Sequence, residues 1–176
     1  FWNATDACCG GSSTVDDSTY LSAVIDDVKA KLNVDPKQVF IVGYSNGGFM
    51  AHRMACDHAD VFAAVVSVSG AMFLDATQCA PSQAVSVLEV HGTADTVIFY
   101  DGGTFIEPNA YPSAIETASS WSTYDQCTTG GQPVPFDLDP LFAGDEATII
   151  AFESCADDTT VELWTVSGAG HGPVPA

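Results

Sequence analysis

A serine lies at the centre of the pentapeptide Gly43-Tyr44-Ser45-Asn46-Gly47. The pentapeptide follows the apolar run 39–42 and precedes a stretch with helical character at 48–55. A strand, a glycine-flanked serine and a helix in this order are typical of a nucleophile elbow, in which a sharp turn exposes the serine hydroxyl above a sheet. The helix N-terminus behind the serine also offers N–H groups and a positive dipole end to a developing oxyanion. We therefore predict that Ser45 is a nucleophile and that the N–H of Asn46 is an oxyanion donor.

A serine nucleophile needs a general base, and the chain contains four histidines. His52 and His58 fall on the helix behind the elbow, where an ordinary helical role explains them. His91 ends an apolar strand and is explained as support for the turn that follows. His171 lies in the glycine-rich segment 168–173 after a strand, which is where α/β enzymes place functional groups. We predict that His171 is the base, with a solvent-exposed loop histidine as the alternative.

The base in turn needs an acid that orients it, placed between the serine and the histidine in hydrolase chain order. Asp95 follows the strand at 86–90 by a few residues, in the sequence His-Gly-Thr-Ala-Asp-Thr. Asp101 is the competitor, but the two glycines after it are better explained by a turn. Chain order, position at a strand end and glycine context together favour Asp95 as the acid.

Four ordered segments carry a resemblance to one known family: 33–39, 43–48, 91–97 and 168–171. They resemble the secreted esterases that include polyhydroxybutyrate depolymerases, feruloyl esterases and acetyl xylan esterases, within the α/β-hydrolase fold. The start of the chain, 1–10, resembles the same family. The resemblance extends over nearly the whole chain and implies a Ser-Asp-His triad made of the same three residues.

The chain also departs from this family's pattern. In the family, several strands precede the segment that corresponds to Phe1, and one of them ends in a loop that donates a second N–H to the oxyanion. A further helix normally follows the base, whereas this sequence stops at Ala176. We therefore expect a truncated α/β-hydrolase, either a fragment or a short enzyme with a rebuilt oxyanion hole. Losing one donor typically lowers the rate by ~10²–10³-fold.

Periodicity and turn residues predict a mostly parallel sheet flanked by helices, in one catalytic domain over 1–176. The helices are expected at 15–32, 48–57 and 113–124, and the stretches 100–112 and 127–145 are expected to be irregular. Apolar residues on one side of the first helix form a stripe: Leu21, Val24, Ile25, Val28 and Leu32. The strands are expected at 39–44, 63–68, 86–90, 148–152 and 161–166.

Charge and composition exclude several classes of function. The net charge is −19, from four basic and 23 acidic residues, which disfavours binding to nucleic acid or to anionic membranes. No apolar run is long enough to span a bilayer, and no signal segment is recognisable in the sequence. We interpret the acidic surface as a solubilising one, with adaptation to salty or cold surroundings as the sharper alternative.

The six cysteines favour an oxidising compartment, and we expect a secreted or periplasmic protein. No cysteine or histidine spacing is typical of a metal site, so no metal or organic cofactor is predicted. The predicted bridges are Cys56–Cys79 and Cys127–Cys155, with Cys8 and Cys9 left either as a vicinal pair or with one of them bonded to a preceding segment.

The predicted activity is hydrolysis of short-chain or neutral acyl esters through an acyl-enzyme. With only four basic residues, the chain has no basic patch to hold an anionic substrate, and Tyr44, Phe105 and Tyr111 are the predicted lining residues. The alternatives are a polyhydroxyalkanoate depolymerase, a feruloyl or acetyl xylan esterase, or a silent hydrolase fragment that acts as a binding module. An open sheet edge near the first strand would favour a homodimer or association with a missing N-terminal segment.

Overall fold

The computed structural model describes residues 1–9, 13–141 and 143–173. Helices α1, α2 and α3 span Asp17–Lys31, Asn46–Asp57 and Ala114–Tyr124. Strands β1 to β5 span Phe40–Tyr44, Ala64–Val68, Ser86–Gly92, Gly103–Ile106 and Asn109–Tyr111. Strands β6 to β9 span Thr129–Gly130, Val134–Phe136, Ala147–Glu153 and Val161–Val166. Short 3₁₀ helices occur at Ala59–Val61, Ala76–Gln78 and Ala156–Asp158.

The main sheet has the strand order β1-β2-β3-β9-β8-β6, with β7 also paired to β8. Strands β1, β2, β3 and β9 run parallel, whereas β8 is antiparallel to β9 and both β6 and β7 are antiparallel to β8. The prediction of a mostly parallel α/β sheet with flanking helices is therefore confirmed. Because the carboxyl ends of the parallel strands meet at one edge, loops that are distant in sequence converge there.

Two helices cover one face of this sheet. Helix α2 packs on β1 and β2, and α3 packs on β3 and β9. Local signals explain where α3 begins, because the Ser113 hydroxyl accepts from the Glu116 N–H while the Glu116 carboxylate accepts from the Ser113 N–H. The core between helices and sheet includes Phe49, Met50, Met54, Val65, Val87, Trp121 and Leu163.

The opposite face of the sheet is much more exposed at β1. Phe40, Val42 and Tyr44 alternate along this strand and retain 61%, 70% and 52% of their accessible surface. The apolar stripe of α1 is only partly buried. Helix α1 packs against α2, and this contact covers part of the stripe. Leu21 and Ile25 pack against the core, whereas Val24, Val28 and Leu32 remain exposed.

All three cysteine pairs are disulfides in the structure. The bridges Cys56–Cys79 and Cys127–Cys155 are those predicted, and Cys8 and Cys9 form a vicinal pair. The two segments predicted as irregular contain short strands: β4 and β5 form a hairpin in the first, and β6 and β7 lie in the second. Within the described residues, no helix is both long and apolar enough to cross a membrane.

Candidate active site

Ser45 occupies a strained turn between β1 and α2. Its backbone φ is +56°, in the left-handed region that costs a non-glycine residue free energy, and its N–H is held by the Val68 carbonyl at 2.8 Å. The strand and the helix approach each other so closely that a Cβ on Gly43 would collide with the carbonyl of Gly47. The predicted elbow is therefore present, and glycine is required at position 43 for it to form.

The loop that carries His171 is braced against two neighbouring loops. The Ser69 hydroxyl donates to the His171 carbonyl at 2.8 Å, and the Ala94 N–H donates to the Ala169 carbonyl at 2.9 Å. Gly92 lies against the same loop, where a Cβ would clash with the carbonyl oxygens of residues 169 and 170. These contacts fix the histidine by its backbone, although it lies in a glycine-rich segment.

Asp95 is 4% exposed and is surrounded by hydrogen-bond donors. Its Oδ1 accepts from the N–H groups of Val97 at 2.8 Å and Ile98 at 3.0 Å, and its Oδ2 lies 2.8 Å from Nδ1 of His171. Burial alone would raise the pKa of this carboxyl, but the bond with His171 and the two N–H donors outweigh it and hold the pKa below its ordinary value. Asp95 is therefore present as a carboxylate at neutral pH.

The structure brings Ser45, His171 and Asp95 together, as the sequence predicts. Nε2 of His171 lies 2.8 Å from Oγ of Ser45, and Nδ1 of His171 lies 2.8 Å from Oδ2 of Asp95. A carboxylate can only accept, so Nδ1 carries the proton and Nε2 is free to accept the serine hydroxyl proton. This arrangement can generate a serine nucleophile without a metal or a cofactor.

Asn46 connects the elbow to the start of the chain. Its side-chain oxygen accepts from the Trp2 N–H at 2.6 Å, and its amide nitrogen donates to the Trp2 carbonyl at 3.0 Å. Its own backbone N–H opens helix α2, where N–H groups lack an intrahelical acceptor. The predicted oxyanion donor is thus on a residue that the N-terminal segment holds in place.

The three predicted lining residues differ in their exposure. Tyr44 is half-exposed, with its ring centroid 5.1 Å from that of His171, and Phe105 is half-exposed on β4. Tyr111 is 3% exposed, its ring packs edge-on against Phe49, and its hydroxyl accepts from the Phe99 N–H at 3.0 Å. The prediction that Tyr111 lines the substrate pocket is therefore wrong, because its side chain is buried beneath the segment that follows Asp95.

Sequence reasoning missed a second histidine and carboxylate cluster behind the triad. Glu89 of β3 is fully buried, with Oε2 3.0 Å from Nε2 of His52 and Oε1 3.2 Å from Nδ1 of His91. The indole N–H of Trp121 donates to Nδ1 of His52 at 3.0 Å. The available signal was the glutamate in the apolar strand, since a buried charge needs partners. Among the described residues, no group of three or more His, Cys, Asp or Glu side chains is arranged to hold a metal ion.

Comparison with known proteins finds relatives that are named as esterases. The model of the prolyl oligopeptidase family matches residues 11–97. The chain is 28% identical to feruloyl esterase B of Piromyces equi over 97% of its own length and 31% of that protein. It is 33% identical to a bifunctional acetylxylan esterase/xylanase of Neocallimastix patriciarum over 91% of its own length and 22% of that protein. The chain therefore spans about a third or less of these two relatives.

A solved structure shares the fold. The acetyl xylan esterase from Aspergillus awamori superimposes with a TM-score of 0.62 at 16% identity, over 90% of this chain and 63% of that one. At this identity the likeness establishes the fold alone. The shared fold is that of the α/β-hydrolases, and the two sequence relatives carry the names feruloyl esterase and acetylxylan esterase/xylanase.

Proposed function

We propose that this chain belongs to the feruloyl and acetyl xylan esterase group of α/β-hydrolases and is a serine carboxylic-ester hydrolase, with one catalytic domain over residues 1–176. The observation that supports this most directly is the pair of 2.8 Å contacts that join Ser45 to His171 and His171 to Asp95 on a strained elbow. The named activities of the two sequence relatives agree with the proposal.

The proposed mechanism follows from these contacts. Nε2 of His171 takes the proton of Ser45 as Oγ attacks the ester carbonyl, and Asp95 stabilises the imidazolium that forms. The N–H of Asn46 donates to the oxyanion of the tetrahedral intermediate. His171 then gives its proton to the departing alcohol, and water repeats the sequence to release the acid and restore the serine.

The chemistry of the surroundings favours a neutral acyl ester. The chain's basic residues are Lys29, Lys31, Lys37 and Arg53, and the one arginine lies against Asp57 and the Phe73 ring. Half-exposed Tyr44 and Phe105 provide apolar surface for an acyl or aryl group. Polyhydroxyalkanoate, feruloyl and acetyl-xylan esters remain the alternative substrates within this class.

Esterase assays test this proposal. We expect saturable turnover of p-nitrophenyl acetate and butyrate that Ser45→Ala abolishes while the far-UV circular dichroism spectrum stays the same. Methyl ferulate and acetylated xylan then rank the finer substrates. A folded chain that turns over none of these esters above the Ser45→Ala background would contradict the proposal and favour the silent binding module. Cleavage of a prolyl p-nitroanilide without ester turnover would favour a peptidase instead.

We also propose an extracellular location and a partner for the exposed side of β1. The three disulfides fit an oxidising compartment, and they support secretion. The exposed apolar residues of β1 support either a homodimer or association with a further N-terminal segment. Light scattering after size-exclusion chromatography measures the molar mass and so tests the homodimer. If the molar mass is that of a monomer in both dilute and concentrated solution, the homodimer is contradicted.

A further inference from the structure

We infer that His91 is a positioning residue for the triad acid: it bonds to the Ile98 carbonyl in the turn that presents Asp95 and contacts the same carboxylate oxygen as His171, while Glu89 fixes the orientation of His91 itself. This inference rests on the proposed function for its kinetic consequences, but its geometric part concerns the Asp95–His171 contact itself. The cluster formed by His52, Glu89, His91 and Trp121 is called the sealed network below, because all four side chains are buried.

The proton positions of His91 follow from its neighbours. Its Nε2 lies 2.9 Å from the Ile98 carbonyl oxygen and 3.4 Å from Oδ2 of Asp95. Both oxygens are acceptors only, so Nε2 must carry a proton. One imidazole edge therefore contacts the Asp95 carboxylate and also holds the backbone of the turn that presents it.

The far side of His91 is fixed by Glu89. The indole N–H of Trp121 can only donate, so Nδ1 of His52 accepts and the His52 proton sits on Nε2, directed at Glu89. The remaining Glu89 oxygen faces Nδ1 of His91 at 3.2 Å. When Glu89 is ionised, its two oxygens accept from both histidines, and His91 then carries a proton on each ring nitrogen.

The directions of the pKa shifts agree with this geometry. Burial opposes the charge on Glu89, but hydrogen bonds from His52 and His91 hold its pKa below the ordinary value. Burial likewise opposes the charge on His91, yet the Glu89 carboxylate raises the pKa of that imidazole. The titratable groups that face His91 are Glu89, Asp95 and Tyr100, whose ring packs edge-on at 5.8 Å, with His52 beyond Glu89.

Asp95 is consequently held from every side. Its Oδ1 accepts two backbone N–H groups, and its Oδ2 faces both His171 and His91. The carboxylate accepts hydrogen bonds from Val97, Ile98 and His171, and His91 adds a charged contact at 3.4 Å. Rotation of the carboxylate would lose at least one of these contacts, so the direction of the bond to His171 is fixed. The cation at His91 also offsets part of the charge that Asp95 presents to His171.

Two substitutions at His91 separate the effect of its N–H donor from the effect of its positive charge. His91→Phe keeps a flat ring but removes the N–H, and we expect kcat to fall roughly 10- to 100-fold with KM nearly unchanged, because a small misplacement of a catalytic group has that cost. His91→Gln restores a neutral N–H donor at the same reach, and we expect it to recover most of kcat. Both variants should move the acidic limb of the kcat/KM profile to higher pH, because the charge of Asp95 is no longer offset.

The matched control is Trp121→Phe, which removes a hydrogen bond from the sealed network without touching Asp95. We expect it to lower the melting temperature while kcat and the pH profile stay the same. If His91→Phe and His91→Gln behave like this control, with stability lost and neither kcat nor the pH profile changed, His91 is a packing residue and the inference is overturned.

Proton NMR spectroscopy tests the inference without measuring turnover. The downfield proton resonance of the Asp95–His171 hydrogen bond should broaden or shift in His91→Phe, return towards its original position in His91→Gln, and stay unchanged in Trp121→Phe. An unchanged resonance in both His91 variants would overturn the inference. A wild-type chain without esterase activity would refute the proposed function, and the resonance would still decide the role of His91.

Discussion

Two clusters of histidine and carboxylate occur in this molecule at similar distances but in different surroundings. In the triad, His171 is partly exposed and contacts a serine hydroxyl on one side and Asp95 on the other. In the sealed network, Glu89 lies between His52 and His91, and all three side chains are buried. Residue types and distances alone therefore do not identify a reactive site.

The difference lies in access and in what the histidine can still do. Nε2 of His171 faces a hydroxyl and is free to accept its proton, whereas Nδ1 of His52 is occupied by the Trp121 indole and Nε2 of His91 by the Ile98 carbonyl. The side chains of the sealed network are buried, so a substrate at the surface does not contact them. Asp95 joins the two clusters, since its Oδ2 faces both His171 and His91.

The largest expected effect comes from changing the acid of the triad. Asp95→Asn should lower kcat for p-nitrophenyl butyrate by roughly 10⁴-fold, because an amide can donate to Nδ1 and stabilise the wrong tautomer of His171. The matched control is Asp101→Asn, the exposed aspartate that competes with Asp95 in the sequence, and it should leave kcat unchanged. If kcat falls by a similar factor in both variants, Asp95 has no special role in the triad.

Removing the central carboxylate of the sealed network should affect stability more than turnover. Glu89→Ala leaves the His91 cation without its partner and opens a void, and we expect the free energy of unfolding to fall by about 3–5 kcal/mol. Urea denaturation measures this change, with exposed Glu153→Ala as the control. If Glu89→Ala changes the free energy of unfolding no more than Glu153→Ala does, the sealed network does not stabilise the fold.

A third buried carboxyl, that of Asp125, differs from those of Asp95 and Glu89 because its pKa is raised and theirs are lowered. Asp125 is fully buried, and burial raises its pKa to about 6; its Oδ1 accepts from the Val85 N–H at 3.3 Å, whereas its Oδ2 has no hydrogen-bond partner. Because the folded state then holds a proton that the unfolded state releases near pH 3.8, stability should fall as pH rises from about 4 to 6 and stay lower above. Asp125→Asn should remove up to about 3 kcal/mol of this dependence.

Denaturation midpoints measured at intervals from pH 4 to pH 8 test the Asp125 prediction. Wild type and Asp125→Asn should be closest in stability at pH 4, with the variant relatively more stable at pH 8. If the denaturation midpoints of the two proteins change with pH in parallel, Asp125 does not titrate in this range. Asp125 and Glu89 would then not differ in the way that burial affects their pKa values.

The smallest expected effect concerns the surroundings of the triad. Phe105→Ala should raise KM for p-nitrophenyl butyrate by roughly tenfold or less and leave kcat near its original value, because one apolar contact is worth about 1 kcal/mol. Leu141→Ala, at an equally apolar but 90% exposed position, is the control. Equal KM values for the two variants would remove Phe105 from the substrate surface.

Much of the fold follows from local signals in the sequence. The five predicted strands all occur, and the strand Val161–Val166 has the predicted bounds. The elbow, both predicted disulfides and the meeting of Ser45, Asp95 and His171 also agree with the sequence. These features depend on short-range patterns and on the order of strand ends, which a sequence displays directly.

The failures concern contacts between distant segments. Tyr111 is aromatic and follows the acid loop, but only the packing of β5 against α2 reveals that it is buried on Phe49. The role of His91 depends on Glu89 of β3 meeting His52 of α2 and Trp121 of α3, and no local pattern in the sequence specifies that these three elements meet there. The glutamate in an otherwise apolar strand was the one visible sign of this network.

Covalent trapping of the serine tests the central claim most directly. Diethyl p-nitrophenyl phosphate should react with Ser45, with Oγ bonding to phosphorus and p-nitrophenolate leaving, so that intact mass spectrometry shows one diethylphosphoryl group and peptide mapping places it on Ser45. His171→Ala should suppress the labelling. A folded chain that gains no adduct, or gains it on another residue, would contradict the account of Ser45, His171 and Asp95 as a working triad.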